Sequence, residues 1–189
     1  MWLIVGLGNP GPRYELTRHN IGFLGADFLL DELGQSTKSG FSGHYARCNF
    51  AEQPIIVLKP ETFMNRSGQA VQQAVAFHKI DLAKIIVIHD ELDLPLGELR
   101  IKRGGSDGGH NGLKDITRYL GPEYIRVRLG IGRPAIKGIE ADFVLSPFSN
   151  VELKEVGDIL PKAALAIRAV IENGLDFAQA HCQIKQKKS

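Results

Sequence analysis

The chain has 189 residues, of which 43% are hydrophobic, and its 23 basic and 21 acidic residues leave a net charge of +2. This length and composition predict one domain spanning residues 1–189 with a sizeable buried core. No apolar stretch is long enough to cross a bilayer, and the opening MWLIV lacks the basic start of a secretory signal. Two widely separated cysteines, Cys48 and Cys182, offer no disulfide framework, so we expect a soluble cytoplasmic protein.

Predicted strands and helices alternate through the first two thirds of the chain, which favours an α/β domain with a largely buried sheet. A capping box at residues 149–152 opens a later helix that Pro161 should kink or interrupt, and Asn173-Gly174 should end it before a short last helix. In chain order, the earlier elements are strand 2–7, helix 21–33, strands 44–50 and 55–58, helix 65–79, strand 85–88, strand 98–102, helix 113–120 and strand 124–131.

The first strand runs into GLGNPG at residues 6–11, which carries the letters of a dinucleotide-binding turn. Prolines flank its third glycine, helix begins only near Asn20, and the acidic residue expected after a second strand is missing. The segment therefore fails the test for a dinucleotide site. It holds Asn9 at the carboxyl end of a strand, where α/β proteins place their sites, although taken alone it is also explained as a tight turn.

Polar residues cluster where the predicted elements end, and these ends converge on one rim if the strands lie side by side. A histidine can take a proton from water near neutral pH, a carboxylate can orient it, and asparagine amides can donate to an oxyanion. No nucleophile elbow, zinc-binding helix or P-loop is present. The residues thus suit hydrolysis by activated water. The clusters are Thr17–Asn20, Phe63–Asn65, His89–Glu91 and Gly104–Gly112.

Each of these residues also has a structural explanation. His19 could bond to nearby backbone at the start of a helix, and Asp90 could turn or cap the end of its strand. Asn65 and Asn111 could be helix N-caps. Two further histidines at element ends are candidates as well, namely His89 and His110.

Basic residues are concentrated between residues 96 and 137, where nine basic and four acidic residues give an excess of +5. Arg100 and Lys102 share a face of one strand, and Arg126 and Arg128 share a face of the other. Both strands alternate apolar and charged residues, so each should have one face in water. Such stripes suit the phosphate backbone of a structured RNA, although a solvated sheet face is the alternative.

Several long motifs in a fixed order give the chain a strong resemblance to the bacterial-type peptidyl-tRNA hydrolases. They lie between about residues 3 and 134, and FVLSPF extends the likeness to about 148. The resemblance implies a single α/β domain with a twisted, mixed but mostly parallel β-sheet surrounded by α-helices, acting as a monomer without metal or cofactor. The motifs are GLGNPG with TRHN, KPETFMNRSG, HDELDLPLG, GGSDGGHNGLKDI and RVRLGIGRP.

The implied reaction is hydrolysis of the ester that joins a peptide, or another N-blocked amino acid, to the 3′ end of tRNA, which frees the tRNA for translation. By this resemblance His19 matches the catalytic base, Asp90 the acid that supports it, and Asn9 the residue that helps distinguish blocked from free aminoacyl groups. The other matches are Asn65 and Asn111 as substrate-positioning amides, Tyr14, Phe63 and Met64 as the lining of the acceptor end, and Lys102, Arg128 and Arg100 as tRNA contacts.

The partner implied is peptidyl-tRNA alone, with no membrane and no obligatory protein partner. Asp107 departs from the family pattern, since it places an acid in a glycine-rich segment that often has a small neutral residue there. That departure leaves a phosphate contact at this segment open. Two other functions compete with hydrolysis: an RNA-binding module that keeps this fold without catalysis, and a nucleotide-dependent oxidoreductase based on the opening glycines.

Overall fold

Strands and helices alternate in the computed structural model, which describes residues 1–185; the last four residues of the predicted domain lie outside this range. None of the helices in residues 1–185 combines the length and apolar character that a membrane span requires. The strands are β1 (Trp2–Gly6), β2 (Lys38–Gly40), β3 (Gly43–Phe50), β4 (Gln53–Pro60), β5 (Ile85–Glu91), β6 (Leu99–Arg103) and β7 (Ile125–Gly130). The α-helices are α1 (Ile21–Glu32), α2 (Ser67–His78), α3 (Asn111–Leu120), α4 (Glu140–Val144), α5 (Asn150–Asn173) and α6 (Leu175–His181).

Within residues 1–185 the strands form a seven-stranded mixed sheet in the order β2-β3-β4-β1-β5-β7-β6. The four central strands β4, β1, β5 and β7 are parallel, and antiparallel strands flank them on both sides. This arrangement confirms the expected α/β fold with a mixed sheet and a parallel centre. Because parallel strands end at the same edge, residues that follow β1, β4 and β5 meet at one rim of the sheet.

The two faces of the sheet are covered by different helices. Along β1 the side chains alternate, so that Ile4 packs in the cluster containing residues of α1 and α5, while Leu3 and Val5 pack in the cluster containing residues of α2 and α3. All three side chains are fully buried. Each contributes about 1.5–3 kcal/mol of hydrophobic stabilisation relative to exposure, so the central strands form a rigid base for the rim.

The opening glycines serve close packing of a helix on a strand. A Cβ on Gly6 would lie 2.3 Å from the carbonyl oxygen of Gly22, which is in the first turn of α1. After the turn at Gly11, where φ is +104°, the chain forms a short 3-10 helix rather than the α-helix of a dinucleotide site. The opening glycines therefore allow α1 to pack closely against β1. They do not form the N-terminus of a phosphate-binding helix.

Three local features differ from or refine the sequence expectations. Helix α5 runs through Pro161 without interruption, so of the two expected effects, a kink or an interruption, the interruption is wrong; residues on both sides of the proline are buried against the sheet. The capping box at its start is confirmed, since Ser149 Oγ accepts from the backbone N–H of Glu152 and the Glu152 carboxylate accepts from the backbone N–H of Ser149. No local pattern in the sequence predicts the short helix α4.

Candidate active site

The rim at the carboxyl ends of β1, β4 and β5 brings the polar clusters of the sequence together. Asp90 lies at the end of β5, and His19 lies in a short 3-10 helix directly before α1. His110 is the N-cap of α3 and the last residue of the glycine loop, residues 104–110, which joins β6 to α3. All three side chains line a cavity of about 260 Å³. The convergence that strand order implied is therefore confirmed.

Asp90 is the centre of this cluster, because each of its carboxylate oxygens accepts a hydrogen bond from a different imidazole. Its Oδ2 lies 2.8 Å from His19 Nδ1, and its Oδ1 lies 2.7 Å from His110 Nε2. The three side chains are almost completely enclosed, since their exposed fractions are 2–10%. A carboxylate held in this way orients both rings.

The hydrogen bonds assign the tautomers of the two rings. His110 Nδ1 accepts from the backbone N–H groups of Gly112 and Leu113, so its proton is on Nε2 and points to Asp90. Ionised Asp90 accepts only, so His19 carries its proton on Nδ1. In the neutral ring, the Nε2 atom of His19 is therefore an unprotonated base beside the cavity, and it has no hydrogen-bond partner within residues 1–185.

Electrostatics support an ionised Asp90 and a neutral His89. Burial lowers the pKa of His19, but the charge of Asp90 and the hydrogen bond to it outweigh burial and leave the pKa above the ordinary 6.5. Burial raises the pKa of Asp90, but His19 and His110 lower it further than burial raises it, so this pKa lies well below 3.8 and the carboxyl is ionised. Burial, with the neighbouring His110, lowers the pKa of His89 to about 3, and the His89 ring is neutral.

The segment that carries His19 is anchored by its neighbour Arg18, a residue that the sequence did not single out. The Arg18 guanidinium donates to both carboxylate oxygens of Glu152, at 2.8 and 2.9 Å, and to Ser146 Oγ and the carbonyl of Pro147. Arg18 also lies over the ring of Phe143, which is in α4. This network joins the segment before His19 to α4 and to the start of α5, which explains how a residue outside regular helix is held in place.

Asn9 is locked by three hydrogen bonds. Its backbone N–H donates to Asn20 Oδ1, its carbonyl accepts from Asn20 Nδ2, and its side-chain Oδ1 accepts from the backbone N–H of Met64 at 2.8 Å. Because the oxygen of the amide is occupied, the Asn9 Nδ2 group is left free to donate, with no partner within residues 1–185. The sequence identified Asn9 by its position, whereas its partner Asn20 became apparent only in the structure.

The other two asparagines are exposed, and neither side chain hydrogen-bonds within residues 1–185. Asn111 is the first residue of α3 and lines the cavity beside His110. Asn65 lies in the 3-10 helix Met64–Arg66, next to Met64. The alternative that both are N-caps is wrong, because α3 is capped by His110 and the side chain of Asn65 makes no capping bond.

Tyr14 and Phe63 form an aromatic ridge next to Met64. Their rings meet edge to face with centroids 6.3 Å apart, and Phe63 is 53% exposed. Phe63 has φ +58° and ψ 157°, a backbone conformation that costs a non-glycine residue about 1–3 kcal/mol and clusters at functional sites. Met64 is buried, and its Sδ would lie 2.6 Å from a Cβ placed on Gly112 at the start of α3, so the two residues pack closely. The ridge is thus a rigid, partly exposed apolar surface beside Asn9.

Strands β6 and β7 place four basic residues on one face of the sheet. Arg100 lies opposite Arg128, and Lys102 lies opposite Arg126. The expectation that both strands have one face in water is wrong for β7, because Arg126 is only 1% exposed. The glycine loop lies over the Arg126 side chain and accepts hydrogen bonds from it, so Arg126 does not belong to the exposed stripe.

The other three cations remain partly accessible. Arg128 Nε donates to the Glu91 carboxylate at 3.0 Å, and Arg100 lies 3.6 Å from a carboxylate oxygen of Glu98. Lys102 forms no ion pair within residues 1–185, and burial together with the charges of Arg128 and Arg126 lowers its pKa. Arg100, Lys102 and Arg128 thus form a basic stripe in which the positive charges lie close together. An approaching anion would reduce the repulsion among these charges.

Within residues 1–185, one group of side chains could hold a metal ion, namely His19, Asp90 and His110. Their possible ligand atoms all lie within 4.8 Å of one another. Each imidazole already donates a proton to the carboxylate, so a metal would have to displace both N–H protons. The existing pattern satisfies all three groups as a hydrogen-bonded unit. It favours proton transfer as the chemistry of the site.

The rim of this α/β sheet combines a carboxylate-oriented imidazole with nearby amide donors and a basic stripe on β6 and β7, and this combination fits the class of hydrolases. The model of the family described as peptidyl-tRNA hydrolase matches residues 3–189. The chain belongs to this peptidyl-tRNA hydrolase family, which confirms the resemblance seen in the sequence.

Relatives and solved structures agree over nearly the whole chain. The peptidyl-tRNA hydrolase of Bdellovibrio bacteriovorus is 46% identical over 181 residues, covering 94% of this chain and 97% of that protein. The enzyme of Sulfurovum sp. strain NBC37-1 is 46% identical over 187 residues, covering 98% and 97%. The crystal structure of peptidyl-tRNA hydrolase from Acinetobacter baumannii has a TM-score of 0.88 at 37% identity and covers 95% of each chain. A peptidyl-tRNA hydrolase complex with N-propanol has a TM-score of 0.94 at 36% identity, covering 100% of this chain and 97% of that chain.

Proposed function

We propose that this protein cleaves peptidyl-tRNA by general-base attack of water, with His19 as the base and Asp90 as the group that orients it. Membership of the family supports ester hydrolysis of peptidyl-tRNA. One observation carries the mechanism: His19 Nδ1 donates to Asp90, which leaves Nε2 unprotonated beside the cavity. General-base catalysis of this kind contributes about 10²–10⁴-fold in rate.

In the first step, His19 Nε2 takes a proton from water as the water oxygen bonds to the ester carbonyl carbon. The resulting imidazolium is stabilised by ionised Asp90, which accepts from the opposite side of the ring. The tetrahedral intermediate then expels the 3′ oxygen of the terminal ribose. His19 returns its proton to this oxygen, so free tRNA and the peptide with a carboxylic acid end leave, the acid loses its proton to solvent, and the base is regenerated.

The exposed amides of Asn65 and Asn111 are suited to the developing oxyanion. Neither amide is committed to a hydrogen bond within residues 1–185, and Asn111 lies in the cavity next to His110. Donors held on the first turn of a helix need little reorganisation when charge develops on the carbonyl oxygen. We assign both asparagines to positioning the substrate and stabilising this oxygen.

Asn9 is suited to reading the blocked amino group. Since its oxygen is bound to the Met64 N–H, only the Nδ2 donor faces the substrate. A blocked amino acid presents a carbonyl oxygen that can accept from Nδ2, whereas a free α-ammonium group has only donors. The mismatch disfavours ordinary aminoacyl-tRNA, which gives Asn9 a role in specificity.

The tRNA itself is placed by the aromatic ridge and the basic stripe. Tyr14, Phe63 and Met64 line the acceptor end, where the exposed Phe63 offers an apolar surface. The backbone of the acceptor stem lies along Arg100, Lys102 and Arg128, whose crowded charges favour phosphate.

Substitution of the stripe should weaken tRNA binding in a salt-dependent way. For Lys102→Gln and Arg128→Gln, we expect a lower affinity and a slope of log K against log salt that is shallower by about 1 for each lost phosphate contact. Titrations of uncharged tRNA at several salt concentrations measure this slope. Lys154→Gln, an exposed change on α5, is the control with the same charge loss. Unchanged slopes in both stripe variants would remove these residues from the tRNA site.

The pH dependence of kcat/KM tests the proposed base. Hydrolysis needs neutral His19, and the Asp90 carboxylate raises the pKa of His19 above 6.5. Activity should therefore rise with pH on an acidic limb whose midpoint lies above 6.5 and level off once His19 is deprotonated. The measurement uses N-acetylaminoacyl-tRNA in a constant ionic-strength buffer series. A limb with its midpoint below 6.5 contradicts the coupling of His19 to Asp90.

We also propose that the enzyme works as a monomer in the cytoplasm. The family resemblance implies a monomer, and both cysteines are free, which suits a reducing compartment. Sedimentation at assay concentrations should give the mass of one 20.8 kDa chain. A stable dimer under those conditions contradicts the proposal.

A further inference from the structure

Arg126 is a buried cation whose place in the fold the hydrolysis mechanism leaves unexplained. It lies near the start of β7, and its side chain forms no ion pair within residues 1–185 but donates to two backbone carbonyls. Its Nη1 donates to the carbonyl of Ser106 at 2.6 Å, and its Nη2 donates to the carbonyl of Gly105 at 2.8 Å. The guanidinium lies 4.8 Å from the ring centre of Tyr124. Burying a charge without a counter-ion is costly, so these carbonyl bonds must compensate for it.

Both carbonyls belong to the glycine loop, residues 104–110. Four of its glycines have positive φ, between +59° and +97°, and most of its residues are exposed. A segment with so many glycines gains little rigidity from its own backbone. Its first residue is tied to the residue before β7 through the backbone bond from Gly104 N–H to the Tyr124 carbonyl, and its last residue, His110, is tied to Asp90.

Between these two ends, Arg126 alone among residues 1–185 donates side-chain hydrogen bonds into the loop from another element. The remaining bonds there are internal, from Gly109 N–H to Asp107 Oδ1 and from His110 N–H to the Asp107 carbonyl. The two carbonyls held by Arg126 therefore determine where the loop leaves the sheet. His110 lies only four residues after Ser106, the second of the two residues whose carbonyls Arg126 holds.

We propose that Arg126 is a positioning residue for the hydrolysis, because its guanidinium sets the course of the glycine loop that brings His110 to Asp90. The proposal rests on the proposed function, in which Asp90 orients the base. Arginine suits this task because its planar fork presents two N–H donors to two successive carbonyls, whereas a lysine offers a single point charge. A displacement of about 1 Å in a catalytic group is enough to cost about 10²-fold in rate.

Two substitutions of Arg126 distinguish the effect of its two guanidinium N–H donors from the effect of its positive charge. Arg126→Lys keeps the charge with one donor group, and Arg126→Gln removes the charge. For Arg126→Gln we expect kcat to fall about 10–100-fold with a smaller change in KM, and for Arg126→Lys a smaller fall. Arg168→Gln, at a partly exposed cation on α5, is the control for the loss of a positive charge. Its kcat should equal that of the wild type.

A double-mutant cycle tests whether Arg126 acts through His110. If it does, the variant carrying both Arg126→Gln and His110→Asn should have the same kcat as His110→Asn alone. Effects that multiply instead overturn the proposal, because they show that Arg126 works by another route. The kcat of the wild type and the acidic limb of its kcat/KM profile against pH are measured in the same series. These two measurements test His19 as the base, so that a negative result for His19 can be distinguished from a negative result for Arg126.

Hydrogen exchange provides the structural readout. Amides of residues 105–109 should exchange faster in both Arg126 variants, while amides of the central strands β1 and β5 keep their wild-type rates. Wild-type exchange in the loop together with wild-type kcat overturns the proposal. If Arg126→Gln does not fold, as its thermal midpoint will show, the Arg126→Lys variant decides by the same two readouts.

Discussion

The His19→Ala variant should lose almost all turnover, with kcat for N-acetylaminoacyl-tRNA lowered by about 10²–10⁴-fold, the usual contribution of a general base. The imidazole is the group in the site whose free Nε2 can take a proton from water. Alanine leaves Asp90 and the amide donors in place, so substrate affinity should change far less than kcat. Single-turnover kinetics and tRNA binding are the two measurements that separate these quantities.

Folding of this variant is expected to be preserved. The segment around residue 19 is held by the Arg18 network, which does not involve the imidazole. His78→Ala, at the exposed end of α2, serves as a matched histidine control and should retain wild-type kcat. Wild-type turnover in a folded His19→Ala protein would exclude His19 as the base.

For Asp90→Asn we expect a fall in kcat of about 10²–10⁴-fold, because an amide cannot replace this carboxylate. Two N–H groups point at residue 90, one from His19 and one from His110. Asparagine has one acceptor oxygen, so its NH₂ group must face one of the imidazoles. When it faces His19, the ring is driven to the tautomer with the proton on Nε2, which cannot accept a proton from water.

The Asp90→Asn variant should also differ from the wild type in the pH dependence of its residual activity. With the carboxylate gone, burial is the main influence left on the pKa of His19, and burial lowers it. The acidic limb of kcat/KM should therefore move to lower pH than in the wild type. Asp31→Asn, an exposed change on α1, controls for the loss of one negative charge. An unshifted limb with unchanged kcat would disprove the pairing.

The architecture could largely be predicted from the sequence because local patterns encode it. The apolar run 85–88 and the alternation of strands with helices are enough to predict a buried sheet of the α/β class. Local patterns failed where packing against distant segments decided the outcome. Helix α5 continues through Pro161 because its flanks are buried on the sheet, and Arg126 is enclosed because the glycine loop lies over it.

The residues of the site could largely be predicted from the sequence, but the hydrogen bonds that join them could not. His19, Asp90 and Asn9 could be selected because polar residues at the ends of neighbouring strands converge, and the family motifs gave them roles. No local pattern indicates that Asp90 accepts from His110 as well, that Asn20 locks Asn9, or that Arg18 ties the segment before His19 to Glu152. These partners are between 11 and 134 residues apart in the chain.

The sequence by itself therefore determined the class of the fold, the family and most of the reactive side chains, since these depend on hydrophobic periodicity and on motifs of adjacent residues. The tertiary structure alone decided which nitrogen of His19 is free, which amide atom of Asn9 can donate and which arginine is buried. The physical reason is that tautomer, amide orientation and burial are set by hydrogen-bond partners that come together only when distant segments pack.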